Sequence, residues 1–141
     1  IMESDAPAKP TLSSPANASR IGIFGKQTAT FTWSAVTDDS GVSYNLQVAA
    51  SANFTQVLIS KEGLLEAGYT LTKEEALAYG TYYWRVKAID GAQNDSGWTT
   101  TAYSFKSGFL PLWASIAIVA LIVVLIGALV YLFVFRRGGY D

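Results

Sequence analysis

From Phe109 to Phe135 the chain reads FLPLWASIAIVALIVVLIGALVYLFVF, without one charged side chain. About 20 apolar residues suffice to cross a bilayer core, and an uncharged run above 18 makes a transmembrane helix the first expectation. At a rise of about 1.5 Å per residue the run reaches roughly 40 Å, enough to span with some tilt. The alternative is a core helix buried on all sides, but a chain of 141 residues offers little second apolar surface to cover one. Everything ahead of the run is polar, turn-rich and strand-like. The expected organisation is a small water-soluble domain over residues 10–107, tied to a membrane by a single-pass helix over 108–135.

The flanks agree with a span. Trp113 and Tyr131 lie near opposite ends of the run, where amphipathic rings favour the headgroup level. Arg136 and Arg137 follow at once, against Lys106 alone on the other side. The positive-inside tendency then puts residues 136–141, a short tail, in the cytoplasm and the N-terminal domain outside the cell membrane. Within the run, Ala120 and Gly127 share a face, with Ala117 and Ala128 beside it. Small residues let helices approach closely, so this stripe is a candidate packing seam; ordinary lipid-facing composition is the favoured reading. The run carries no charged or amide side chain, which argues against a proton relay or ion path inside it.

Composition narrows the chemistry of the outer part. The net charge is −1, so no basic field invites nucleic acid. The absence of cysteine excludes a disulfide scaffold and thiolate zinc sites, and the absence of histidine excludes imidazole bases, Ser-His triads and His-ligated metals. No cofactor is expected. The sequence begins Ile1-Met2 and shows no signal peptide. An outside domain needs an export signal, so either a leader has been removed or further sequence lies upstream.

Residues 1–9 begin a lead-in segment that carries Pro7 and leads on to Pro10 and Pro15. The first strand is expected somewhere in Thr11 to Phe24. Ala29, Phe31, Trp33 and Ala35 then alternate with Thr30, Thr32 and Ser34, the period of a half-buried strand. After the turn cluster Asp38-Asp39-Ser40-Gly41, a strand with Tyr44, Leu46, Val48 and Ala50 inward is expected, then a shorter one from Phe54 to Ile59 closed by Lys61-Glu62-Gly63. Tyr69 to Thr72 is the next strand, and Lys73 to Ala78 is too short for more than a helical turn. Tyr82, Trp84, Val86 and Ala88 alternate with Tyr83, Arg85 and Lys87 in a strong strand; Asp90 to Gly97 is a polar loop; Thr99 to Lys106 is the last strand, with Tyr103 and Phe105 inward. Short strands between regular turn signals argue for an all-β antiparallel sandwich. Trp33, Tyr82 and Trp84 at inward positions are expected as core rather than as a ligand platform. Tyr83, on the other face of its strand, and Trp98, at a loop edge, are the better candidates for an outside contact.

These residues resemble a fibronectin type III module, an immunoglobulin-like fold, over nearly all of Pro10 to Lys106. The resemblance rests on the Pro-rich start, Trp33 on the second strand, Tyr44 opening the third, the Leu77…Gly80-Thr81-Tyr82 approach, and YYWRVKAID with Tyr82, Trp84, Val86 and Ala88 in the positions of an alternating Tyr-x-Val-x-Val-x-Ala pattern. The stretches SPANAS, FTWSAV and GTYYWRVKAIDGAQNDSGW look most like modules of bacterial and archaeal surface proteins. An immunoglobulin domain proper is the close alternative, but the missing Cys pair counts against it. The resemblance implies about seven strands and a tyrosine corner built on Leu77 and Tyr82. It also implies that Asp38 to Val42 and Asp90 to Trp98 form the end of the sandwich opposite the membrane.

That end would gather Asp38, Asp39, Asp90, Asn94 and Asp95. Ca²⁺ takes six to eight oxygen ligands, so the cluster is a weak calcium candidate; Asp, Asn and Gly as turn formers is the favoured reading. Asn17-Ala18-Ser19, Asn53-Phe54-Thr55 and Asn94-Asp95-Ser96 are glycan acceptor patterns in an exported domain. Three functions compete. The first is a non-catalytic, membrane-anchored adhesion, spacer or protein-interaction module, of the kind that forms the membrane-proximal end of a longer surface protein. The second is an accessory subunit of a membrane complex, held by its helix. The third is a carbohydrate-binding module that takes polysaccharide through Trp98 and Tyr83. The sandwich hosts many roles and does not choose between them.

Overall fold

The computed structural model describes residues 5–137. The outermost residues of the lead-in, 1–4, and of the expected cytoplasmic tail, 138–141, lie outside the described residues. Strands β1 (Leu12–Ser14), β3 (Thr30–Trp33) and β6 (Gly68–Thr70) form one sheet in the order β1-β3-β6. Strands β2 (Ser19–Ile21), β4 (Val42–Ala49), β5 (Val57–Leu64), β7 (Gly80–Asp90) and β8 (Tyr103–Ser107) form the other, in the order β2-β8-β7-β4-β5. All pairings are antiparallel except β2 with β8. Helix α1 (Leu112–Arg136) follows.

The core fills the space between the sheets. Phe31, Leu46, Val48, Trp84, Val86 and Ala88 are fully buried there, each at an inward position of an alternating strand. Phe31 meets Trp84 and Phe105 edge-on, with ring centroids 5.1 and 5.7 Å apart, and Trp33 meets Tyr44 at 5.5 Å. Trp33 and Trp84 are therefore core residues. The tyrosine corner is present: the Tyr82 hydroxyl donates to the Ala78 carbonyl at 2.9 Å, and Leu77 is buried beside it. Burial of the ring raises the Tyr82 pKa.

Several expectations are corrected. The single N-terminal strand is two, one in each sheet. The ladder of β1 breaks at Pro15, which has no N–H to donate, and Ala18 turns the chain at φ 60° to join the other sheet, its N–H donating to the Ser104 carbonyl at 2.7 Å. Strand β3 stops at Trp33, so Ala35 is exposed rather than inward. A register irregularity between Val48 and Ala49 interrupts the pairing with β5; Ala49 stays on the outer face opposite Tyr83, where it is buried, and Ala50 is exposed rather than inward. Phe54 belongs to a turn, at φ 56°, and β5 starts only at Val57. Lys61-Glu62-Gly63 does not close that strand. Lys61 pairs with Leu46, and Glu62-Gly63 form a bulge opposite Asn45, with Gly63 at φ 66° and its N–H donating to Asn45 Oδ1 at 3.2 Å, before pairing resumes at Leu64. Strand β6 lies two residues earlier at its end than expected, and β8 begins at Tyr103, because Thr99 to Ala102 is loop.

The apolar run is helical only from Leu112. Phe109 and Leu110 direct their N–H groups to the Ile23 carbonyl, at 2.8 and 3.4 Å, and Pro111 is extended at the helix N-cap. A residue before proline is steered away from the helical region, so the start of α1 follows from the sequence at 110–111. Arg136 sits in the last turn, where the helix dipole favours a cation. The stretch Trp113–Arg136 is long and apolar enough to cross a membrane, and none of its most apolar window is buried against the rest of the molecule. The alternative of a covered core helix is thereby set aside.

Candidate contact surface

Strand β7 carries the core on one face and Tyr83, Arg85, Lys87 and Ile89 on the other, all half-buried. The outer face is covered from both sides by loops. From the β4–β5 turn, Phe54 places its ring centroid 4.0 Å from the Arg85 guanidinium; from the β7–β8 loop, Trp98 lies 4.3 Å from the same group and 5.0 Å from the Lys87 ammonium. Cations over aromatic faces gain from the ring quadrupole. Arg85 also donates twice to Gln47 Oε1, at 3.0 and 2.7 Å, and Lys87 pairs with Asp95 at 2.6 Å. Burial lowers the Arg85 pKa, but a guanidinium stays charged in a protein. Burial pushes the Asp95 carboxyl up, while Lys87 and the Gly97 N–H bring it below its ordinary value. Tyr83 lies opposite Ala49 on the same face. Of the two aromatic candidates from the sequence, Trp98 stands in a ladder of alternating rings and cations with Phe54, Arg85 and Lys87, and Tyr83 shares the face. Arg85 and Lys87 were legible as the polar partners in the alternation of β7. Phe54 was not, because only the left-handed turn at that residue carries its ring back over β4 and β7.

The loops at the far end from α1 meet as the resemblance implied. The Gly91 N–H donates to Ser40 Oγ at 3.0 Å and to the Gly41 carbonyl at 3.1 Å. The acidic residues there are engaged in shaping the loops. Asp90 is buried, and its carboxylate accepts from the Asn94 N–H and the Asn94 amide, each at 2.7 Å. Asp38 accepts from the N–H and hydroxyl of Ser40 at 2.9 and 2.7 Å, which lowers its pKa. Asp95 is held by Lys87, and Asp39 is exposed. Among the described residues no three His, Cys, Asp or Glu side chains gather in a way that could hold a metal ion. The candidate glycan acceptors Asn17 and Asn53 are exposed, whereas Asn94 is half-buried in its loop.

A second charged cluster lies between β5 and the turn after β6. Lys61 pairs with Glu75, which also accepts from the Tyr69 hydroxyl at 2.8 Å and the Thr72 N–H at 3.0 Å. The Lys61 contact leads in holding the Glu75 pKa down at about 2, against a smaller upward push from burial. These groups border an open groove of about 430 Å³ floored by Ile59, Leu77 and Tyr82. Lys61 and Glu75 are paired with each other and with the fold, and Glu74, also in the lining, is exposed.

On α1, Ala120 and Gly127 face outward, with nothing near the open side of Gly127. Trp113 and Tyr131 are exposed toward opposite ends of the helix, and the Arg137 guanidinium lies 4.8 Å from the Phe133 ring.

No family profile matches the chain, and no curated protein matches it in sequence. Among solved structures it is similar to a fibronectin type III-like protein from Clostridium thermocellum, at 17% identity over 75% of this chain and 95% of that one, with a TM-score of 0.43. It is also similar to the fibronectin type III domain of human fibronectin type III domain containing protein 3, at 20% identity over 75% and 89% of the two chains and a TM-score of 0.49. A third is the PKD domain of a peptidase from a Thermoplasmatales archaeon, at 18% identity, 76% and 100% coverage and a TM-score of 0.45. The structural neighbours are fibronectin type III-like and PKD domains, at identities that speak to fold alone.

Proposed function

We propose that this chain is a non-catalytic interaction or spacer module held at a cell membrane by α1, with the sandwich outside and the Arg136-Arg137 end in the cytoplasm. The observation that carries the reading is the junction: β8 ends at Ser107, α1 begins at Leu112, and the helix is uncovered along its length. An uncovered apolar helix of 25 residues is costly in water and at home in lipid. The outward surface supports contact rather than chemistry. Its charges are spent on neighbouring groups, and its ladder of Phe54, Arg85 and Trp98 offers aromatic and Arg side chains of the kind enriched at binding hot spots. The partner we assign to that face is another protein.

The test uses the full chain expressed in cells. The protein should stay with the membrane pellet through alkaline carbonate and come out in detergent. Because the chain has no cysteine, Thr100→Cys introduces a single exposed thiol on the sandwich. An impermeant maleimide should label it on intact cells. Release by carbonate defeats the membrane reading, and labelling only after lysis reverses the orientation.

A further inference from the structure

The loop between β2 and β3 is an apolar tip that no core position explains. Ile23 and Phe24 are 58% and 57% exposed, although both are large and hydrophobic. The tip is built rather than loose. Gly22 and Gly25 bracket it at φ 66° and 72°, a region open to glycine without strain. The Gln27 side-chain amide donates to the Phe24 carbonyl at 2.7 Å and contacts the Gly25 carbonyl at 3.3 Å, which ties the loop back on itself.

The tip is also fastened to the start of α1. Gly108 donates to the Ile21 carbonyl at 2.8 Å, Phe109 to the Ile23 carbonyl at 2.8 Å, and Arg20 Nη1 to the Gly108 carbonyl at 2.5 Å, with its guanidinium 5.2 Å from the Phe109 ring. The segment joining domain and helix is therefore an extension of the β2 pairing. Phe24 and the first turns of α1, from Ser115 to Ile122, line one outward-facing apolar cleft of about 610 Å³. Exposed Tyr79 and Phe109 lie on the same end of the domain, with Tyr79 against the position where Gly108 would carry a Cβ.

We propose that the Ile23–Phe24 tip is a second membrane contact, inserted into the outer leaflet beside α1, so that the sandwich is moored at two points and does not swing on a hinge. The proposal rests on the reading of α1 as a span. Its occupant is lipid because the apolar surface is continuous with that of α1. The helix is about 37 Å long at 1.5 Å per residue, longer than the roughly 30 Å hydrocarbon core, so residues 115–122 fall in the outer half of the bilayer and Phe24 falls beside them. An acyl chain fits a cleft walled by Phe24, Ile116, Val119 and Ile122, whose apolar lining offers water few hydrogen-bond partners.

Three single-cysteine variants of the full chain, Phe24→Cys, Val123→Cys and Leu65→Cys, carry a nitroxide in phosphatidylcholine vesicles. Leu65 is 79% exposed and lies beside the distal loops. Power saturation compares access to oxygen, which concentrates in lipid, with access to an aqueous nickel chelate. The oxygen-to-nickel ratio at Phe24→Cys is expected to stand several-fold above that at Leu65→Cys and to approach that at Val123→Cys. A lipid-like ratio at Val123→Cys with a water-like ratio at Phe24→Cys overturns the second contact and leaves the span intact. A label at Phe24→Cys shielded from both reagents means that protein fills the cleft, and also overturns it. A water-like ratio at Val123→Cys removes the span and the mooring together. As a second measurement, Phe24→Asp in a chain labelled at Ile23→Cys should shift that label toward nickel access; no shift refutes insertion of the tip.

Discussion

At the residue scale, Trp33 shows how an alternating pattern converts into stability. Its ring is 4% exposed and packs on Tyr44, so truncation leaves a large cavity rather than a solvated gap. Trp33→Ala should cost about 3–5 kcal/mol, read as a lowered midpoint in urea unfolding of the domain. An unchanged midpoint would remove Trp33 from the core. Arg85 and Trp98 make the opposite kind of contact, on the surface and between a cation and a ring. A double-mutant cycle with Arg85→Met and Trp98→Leu should give a coupling of about 0.5–1 kcal/mol, as expected for partly exposed cation–π pairs. A coupling near zero would mean that the ladder is geometry without energy. The pattern of β7 made Arg85 legible as an outward residue, but its partners Trp98, Phe54 and Gln47 come from other segments of the chain, Gln47 from 38 positions away.

At the element scale, the two distal loops are held by close backbone approach. A Cβ on Gly91 would stand 2.0 Å from the Ser40 carbonyl oxygen, a backbone atom that cannot step aside cheaply. Gly91→Ala should therefore destabilise the domain by about 1–3 kcal/mol, the usual range for overpacking, and should loosen amide protection at Ser40 and Gly41 in hydrogen exchange. The β5 edge is fastened by Glu75. Its folded pKa of about 2 lies below the ordinary 4.5, so its contribution is complete above about pH 4.5 and is lost as pH falls from there toward 2. Thermal melts of the wild type should fall over that window, and Glu75→Gln should be less stable at neutral pH but flatter in acid. Equal acid slopes in the two proteins would show that the pair does not couple to folding. The sequence marked Lys61-Glu62-Gly63 as a turn because Gly and charge together read as one. The structure makes Glu62-Gly63 a bulge, since neighbouring β4 still offers ladder partners on either side of it.

At the scale of the whole molecule, the sandwich buries its apolar side chains within itself, whereas α1 leaves its own uncovered. The core of the sandwich closes without any residue of α1. A chain ending at Leu110 should thus fold as a soluble monomer with the melting temperature of the full domain, checked by circular dichroism and size exclusion. A loss of several degrees would show that α1 supports the fold. The proposed mooring of Ile23 and Phe24 predicts instead that such a chain exposes an apolar tip and binds vesicles weakly.

The amino-acid sequence by itself determined the apolar helix, the alternation of β4 and β7 and the aromatic core. Each of these is a local property: contiguous apolarity sets the medium a helix can occupy, and period two sets which face of a strand is buried. Only the tertiary structure decided the rest. It divided the N-terminal strand between sheets, made a bulge of Glu62-Gly63, brought Phe54 and Trp98 to the same guanidinium, and laid the Ile23–Phe24 tip beside the first turns of α1. Those outcomes depend on which backbone groups find partners across long sequence separations, and no local pattern encodes that choice.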